Sequence, residues 1–255
     1  MVLTDTHTHI YYETDPVKQA QQLERCILND ITRLFLPNVD SKSMPLVFDI
    51  AKNYPENCFP MLGLHPCDVK ENYLDELAII AEAISANKVY AIGEIGIDLY
   101  WDKTFLKQQQ QAFNLQIEQA KNLNLPIVIH CRDAFEEVFE VLDSQKDEHL
   151  RGIFHCFTGD LAQAQRAIDL GFYLGIGGVV TYKKAGLDKV VEAIDLEHLV
   201  LETDAPYLAP VPFRGKANES SYLIHTAQKV ADIKQCSLEK VAEVTTANSY
   251  KVFGI

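Results

Sequence analysis

Thr4-Asp5-Thr6-His7-Thr8-His9-Ile10 sets two histidines two residues apart, directly after the apolar Val2-Leu3. In an extended strand alternate side chains share a face, so both imidazoles stand about 6 to 7 Å apart along the backbone, close enough to grip one metal ion. A lone His-x-His pair is more often an exposed strand face. What gives this one weight is repetition, because short apolar runs ending in ligand-type residues recur down the chain. Pro126-Ile127-Val128-Ile129 runs into His130-Cys131-Arg132-Asp133, and Gly152-Ile153-Phe154 into His155-Cys156-Phe157-Thr158-Gly159.

Eight such runs read as strands: Val2-Leu3, Arg33 to Leu36, Phe59 to Leu64, Val89 to Ile92, Pro126 to Ile129, Gly152 to Phe154, Phe172 to Ile176 and Leu199 to Leu201. Their polar ends fall near residues 9, 39, 66, 98, 133, 159, 178 and 206, the repeat of a strand, a helix and a parallel strand. The segments between them read as helices. Val17, Ala20, Leu23, Ile27 and Leu28 form an apolar stripe over 16 to 29, and Leu106, Phe113, Leu115, Ile117 and Ala120 form one over 105 to 123. Asp160 is a natural N-cap for 161 to 170 with Gly171 as the stop, and Ser237 caps a last helix ending before Gly254. Nothing resembling a linker interrupts the alternation. The expectation is a single α/β domain over 1–255, a closed (β/α)8 TIM barrel, with an open doubly wound sheet as the alternative.

Composition sets limits on function. With 36 acidic against 23 basic residues the net charge is −13, and no Lys/Arg cluster offers a broad footprint for duplex nucleic acid. An acidic protein can still act on a phosphodiester when bound cations supply the local charge. No apolar run approaches 18 residues and no basic-then-apolar leader is present, which predicts a cytoplasmic protein with no membrane contact. The six cysteines lack a Cys-x-x-Cys spacing and are expected as free thiols. No protein partner can be inferred.

In a barrel of this kind the site lies at the C-terminal ends of the strands. His7 and His9 there would join Glu94, His130, His155 and Asp204, from five different strands. Each alone has a structural explanation as a rim histidine or a helix cap. Together they supply four imidazoles and two carboxylates, and burial of those acids without a cation would be costly. Six ligands exceed the needs of one open catalytic ion, so two divalent ions, zinc, manganese or magnesium, are expected. The division would place His7, His9 and Asp204 on one, His130 and His155 on the other, and Glu94 between. Cys131 and Cys156, turned to the opposite face by strand alternation, are expected as packed core thiols.

The chain resembles the TatD family of metal-dependent hydrolases, within the amidohydrolase-like superfamily, over essentially its whole length. The resemblance is carried by Asp5-Thr6-His7-Thr8-His9, Gly63-Leu64-His65-Pro66, Gly93-Glu94-Ile95-Gly96-Ile97-Asp98, Ile129-His130-Cys131-Arg132-Asp133, His155-Cys156-Phe157-Thr158-Gly159, Glu202-Thr203-Asp204-Ala205-Pro206 and Pro212-Phe213-Arg214-Gly215. It departs from the family at Cys67, where a second histidine is common, and at Ala217, where a basic residue is common. The resemblance implies metal-dependent cleavage of DNA phosphodiester bonds, as a deoxyribonuclease or 3′-to-5′ exonuclease. Asp204 is then the expected general base, and His65 and Arg214 the expected substrate contacts. Tyr100 and Trp101 are in position to stack on a base or simply to cover a helix. Two rivals stand beside this reading: a hydrolase of a small ester, amide or nucleic-acid-linked acyl substrate, and a non-catalytic metal or nucleic-acid binding module. Related barrels that cleave small substrates usually bridge their metals with a modified lysine on the fourth strand, where this chain has Glu94.

Overall fold

The computed structural model describes residues 1–255. Eight strands alternate with eight helices: β1 Leu3–Asp5, β2 Ile31–Pro37, β3 Cys58–Met61, β4 Ile92–Asp98, β5 Ile127–Arg132, β6 Gly152–Phe154, β7 Phe172–Ile176 and β8 Leu199–Leu201, with α1 Pro16–Leu28, α2 Met44–Asn53, α3 Tyr73–Ala86, α4 Leu106–Asn122, α5 Phe135–Ser144, α6 Leu161–Asp169, α7 Leu187–Ala193 and α8 Leu223–Lys234. A further helix, α9 Leu238–Phe253, ends the chain. All pairings are parallel, β1-β2-β3 in one run and β4 to β8 in another. Two seams close the ring and exclude the open sheet. At one, Leu62 bridges Ile92 and its carbonyl accepts from Gly93 N at 3.0 Å. At the other, Thr6 N donates to Leu201 O at 3.0 Å and Asp204 N to His7 O at 2.9 Å.

Inside the ring, Phe35, Met61, Val128, Ile153 and Val200 pack together from β2, β3, β5, β6 and β8, and α9 drives Phe253 against them, its ring 3.7 Å from that of Phe35. Helix α9 thus plugs the N-terminal end of the barrel and leaves the C-terminal end for chemistry. Arg33 donates to Ser249 Oγ and the Ile255 carbonyl and lies 3.9 Å over the Tyr250 ring, tying β2 to this plug. Outside the ring a larger apolar layer joins sheet and helices.

Local capping follows the sequence closely. Asp160 forms a capping box with Gln163, Ser237 accepts from Lys240 N, and Gly254 takes φ +74° after the last helix. Three details differ. Helix α1 buries Leu23 and Cys26 and leaves Val17, Ile27 and Leu28 exposed, because its contact with the sheet is a narrow i, i+3 edge. Helix α4 buries two glutamines and exposes Leu115. Each of those glutamines stands in for a missing strand partner: Gln109 bonds Asp98 N and O at 2.9 and 3.2 Å, and Gln116 does the same for Leu64 at 2.7 and 3.4 Å. Strand β1 ends at Asp5, so His7 and His9 lie beyond it, on bent, irregular chain held by bonds to Phe35, Ala205 and Asp204.

Candidate metal centre

All six residues expected as ligands meet at the C-terminal mouth. His7 Nε2 lies 3.3 Å from His9 Nε2 and 3.2 Å from Glu94 Oε2, while Asp204 Oδ1 lies 3.5 Å from His9 Nε2 and 3.8 Å from His7 Nε2. The other Glu94 oxygen, Oε1, faces His130 Nδ1 at 2.6 Å and both His155 Nε2 and His65 Nε2 at 3.4 Å. Glu94 is 2% exposed, and each of its two oxygens addresses a different set of imidazoles.

Partners on the far side of the His9, His130 and His155 rings decide where the protons are. Tyr11 OH donates to the Pro37 carbonyl at 2.7 Å, so its oxygen must accept from His9 Nδ1 at 2.8 Å, leaving the His9 Nε2 lone pair aimed into the cluster. Asp98 Oδ2 takes His130 Nε2 at 2.8 Å, which frees Nδ1 for the cluster. Glu202, fully buried, lies 2.9 Å from His155 Nδ1 and also accepts from Cys156 N at 2.6 Å. These are the carboxylate and hydroxyl partners that orient imidazole ligands in metal sites. His65 has the opposite polarity: its Nδ1 accepts from Cys67 N at 3.0 Å, so its Nε2 carries hydrogen and is a donor, not a ligand atom.

Electrostatics agree with a cation-binding cluster. Burial alone would raise the Glu94 carboxyl, yet the imidazoles of His155, His65 and His7 and the His130 hydrogen bond hold it well below the usual range. For Asp204 burial is likewise outweighed, here by the neighbouring imidazoles of His9, His155 and His7, so it is an ionised acceptor at neutral pH. Burial works to lower His130, but its bonds to Asp98 and Glu94 raise it to about 8. His155, with Glu202 and Glu94 beside it, is raised to about 10 against the same burial. His7 goes the other way, lowered by burial and by His155, and its Nδ1 is buried without a partner. Converging lone pairs and carboxylates around a shared gap are a donor set that divalent ions satisfy.

Other elements hold this set in place. Asp5 accepts from His7 N at 3.3 Å and from Thr203 N at 2.9 Å, pinning the His7 and Asp204 segments together across the β1–β8 seam. Burial raises Asp5 to about 7 despite those bonds. A Cβ at Gly175 would strike the Glu202 carboxylate, and one at Gly96, where φ is +139°, would strike the His130 carbonyl. Cys131 is a buried core thiol as expected. Cys156 is not: β6 ends at Phe154, the chain turns through φ +44°, and Cys156 is half-buried on the wall of a cavity it shares with His155 and Asp204. Strand alternation fails there because there is no longer a strand.

A cavity of about 530 Å³ opens over the cluster, lined by Glu94, His65, His130 and Asp204 together with Trp101 and Arg132. Arg214 does not line it. Its guanidinium lies 4.4 Å over the Tyr182 ring, in the loop after β8. Asp98, Tyr11, Asp5 and Arg132 had no role assigned from sequence. Asp98 was open to the alternation rule, being four residues beyond Glu94 on one strand, whereas the partners of Tyr11 and Asp5 come from distant segments.

A closed barrel with this cluster at its mouth defines a metal-dependent hydrolase acting on ester bonds. The family model for TatD related DNase matches residues 4–254, and the chain belongs to that family. It is 38% identical over 255 residues to the metal-dependent hydrolase YabD of Bacillus subtilis (strain 168), covering 100% of both chains, and 34% identical to the metal-dependent hydrolase BU355 of Buchnera aphidicola, covering 94% of this chain and 88% of that one. The crystal structure of YJJV, a TatD homolog from Escherichia coli K12, superposes with a TM-score of 0.93 at 26% identity, covering 99% and 98% of the two chains. An organophosphorus hydrolase from Deinococcus radiodurans shares the fold alone, with a TM-score of 0.68 at 12% identity over 99% of this chain and 92% of that one. No helix is long and apolar enough to cross a membrane.

Proposed function

We propose that residues 1–255 act as one unit, a deoxyribonuclease that removes nucleotides 3′-to-5′ from single-stranded DNA ends with two divalent ions. The observation that carries this reading is the division of Glu94, with Oε2 toward His7 and His9 and Oε1 toward His130 and His155. His7, His9 and Asp204 would hold one ion, His130 and His155 the other, and Glu94 both. When bound, two such ions neutralise a phosphodiester and activate water for in-line attack.

The chain's own groups do the rest. Asp204, kept ionised against the imidazoles of His9 and His155, accepts the proton of the attacking water. His65 Nε2–H, its tautomer set by Cys67 N, donates to a phosphate oxygen. Glu202 behind His155 and Asp98 behind His130 hold those rings in orientation. With a net charge of −13, blunt internal duplex finds no basic face to lie on, so a strand end must reach the cavity.

The test is purified protein, chelated and then restored with Mg²⁺, Mn²⁺ or Zn²⁺. It would be offered 5′-labelled single-stranded DNA, closed circular duplex, and a panel of small esters and amides. A metal-dependent ladder of single-nucleotide losses from the single strand, with the circle intact, is expected. Equal cleavage of the circle, or turnover of an amide or ester in its place, overturns the assignment.

A further inference from the structure

We infer that Trp101, Tyr100 and Arg132 form a receptor for one unpaired nucleotide beside the metal cluster, with the indole stacking on the base and the guanidinium taking the adjoining phosphate. This inference rests on the nuclease reading for its substrate class. Trp101 and Arg132 line the same cavity of about 530 Å³ as Glu94, His130 and Asp204. The indole is 69% exposed and Tyr100 54% exposed, so neither ring is a lid packed down over a helix. Their centroids lie 4.9 Å apart at 88°, an edge-to-face pair. Large aromatic faces exposed beside a catalytic cluster match the sequence-tolerant stacking by which unpaired bases are held.

Arg132 completes the receptor. Its guanidinium lies 4.0 Å over the Tyr100 ring and 5.5 Å over that of Trp101. No ion pair or side-chain hydrogen bond within the chain engages it. Stacking fixes the plane of the fork while its N–H groups stay free, the arrangement suited to a phosphate. In so acidic a protein, an unpaired arginine at the mouth is a specific attraction for an anion.

One carboxylate joins this receptor to the cluster. Asp98 Oδ1 accepts from Tyr100 N at 3.0 Å and Trp101 N at 3.1 Å, while its Oδ2 holds His130 Nε2 at 2.8 Å. Leu99 N donates to the Arg132 carbonyl at 2.9 Å, so the aromatic turn and the arginine share a backbone seam. The base-binding turn and the His130 ligand are therefore positioned by the same residue, Asp98.

Trp101 is the only tryptophan in the chain, so its fluorescence reports the proposed contact directly. Full-length protein, restored with Mg²⁺ or Mn²⁺, would be titrated with a single-stranded oligonucleotide whose 3′-terminal linkages are hydrolysis-resistant phosphorothioates. A matched oligonucleotide with abasic terminal sites would be titrated in parallel. Quenching by the first and not the second is expected. Binding measured by anisotropy of an oligonucleotide label should weaken about 5- to 150-fold on Trp101→Ala, the fold-change equivalent to about 1 to 3 kcal/mol per stacked base. Removing the base should cost a similar factor, and the two losses should not multiply, since they delete one contact. Arg132→Gln should flatten the salt dependence of binding, lowering the slope of log affinity against log salt by about 0.7, and Arg132→Lys should restore that slope without restoring full affinity. Absent quenching, losses that multiply, or an unchanged salt slope would overturn the receptor. If quenching and non-multiplying losses appear but no DNA is cut, the receptor stands and the nuclease reading fails. If DNA is cut without quenching, the reverse holds.

Discussion

Replacing Asp98 with Asn isolates the control of a ligand tautomer. The substitution keeps Oδ1, which accepts from the Tyr100 and Trp101 amides, but turns an NH2 toward His130 Nε2 in place of an oxygen 2.8 Å away. The ring is then satisfied only with its proton on Nδ1, the atom that faces Glu94 and the cluster. Loss of such a partner typically costs 10- to 100-fold in metal affinity. A second effect opposes it. In the metal-free protein Asp98 and Glu94, acting against burial, raise His130 to about 8. A group raised in this way is protonated below that value, so the proton competes with metal; relative to a pKa of 8 the competition is about 30-fold at pH 6.5 and slight at pH 8.5. With Asp98 gone its share of the elevation is lost while Glu94 keeps its own, so at most about 15-fold of that competition disappears at pH 6.5. The deficit of the variant should therefore be smaller at pH 6.5 than at pH 8.5, where it should reach roughly 8- to 75-fold. Competition titrations against a chelator of known affinity at the two pH values would measure it. A deficit that is constant with pH, or largest at low pH, would refute the tautomer assignment. The same shift has a sign for folding. Stability contributed by His130 in the metal-free protein, about 2 kcal/mol, is fully present below pH 6.5 and is lost as pH rises through 8.

Glu94→Ala should lower occupancy of both ions together, because only Glu94 turns one oxygen to each set of imidazoles; two tightly bound metals per chain by elemental analysis would contradict the shared role. Asp204→Asn should keep the ion held by His130, His155 and Glu94 and lose about 10²- to 10⁴-fold in single-turnover cleavage, the usual cost of losing a general base. If cleavage at saturating metal stays within about threefold of wild type, the proton goes elsewhere. At the opposite end of the barrel, Phe253→Ala empties the stack against Phe35 and should cost about 3 to 5 kcal/mol in denaturant unfolding with little change in metal affinity. A loss below about 1 kcal/mol would mean that α9 does not plug the ring.

Short-range physics made much of this protein legible from its sequence. Parallel strands spaced by helices, the Asp160 and Ser237 caps and the Gly254 stop are set by neighbours a few residues away, so a linear reading reaches them. The six candidate ligands were legible as well, because they follow five apolar runs, His7 and His9 sharing the first, and the barrel topology sends the ends of those runs to one mouth. How their rings are oriented was decided by partners from elsewhere in the chain. His130 meets Asp98 across 32 residues and Tyr11 reaches Pro37 across 26, and those bonds fix which nitrogen of a ring carries hydrogen, while Asp5 meets Thr203 across 198 and pins the His7 and Asp204 segments together. Arg132 and Arg214 look alike as loop-end arginines; only the packed structure sets one over Tyr100 inside the cavity and the other over Tyr182 away from it. Cys156 and the inward edge of α1 differ from expectation for one reason. Periodicity predicts a side chain's direction only while the element lasts and only when the neighbour's shape is known, and both are properties of the assembled barrel.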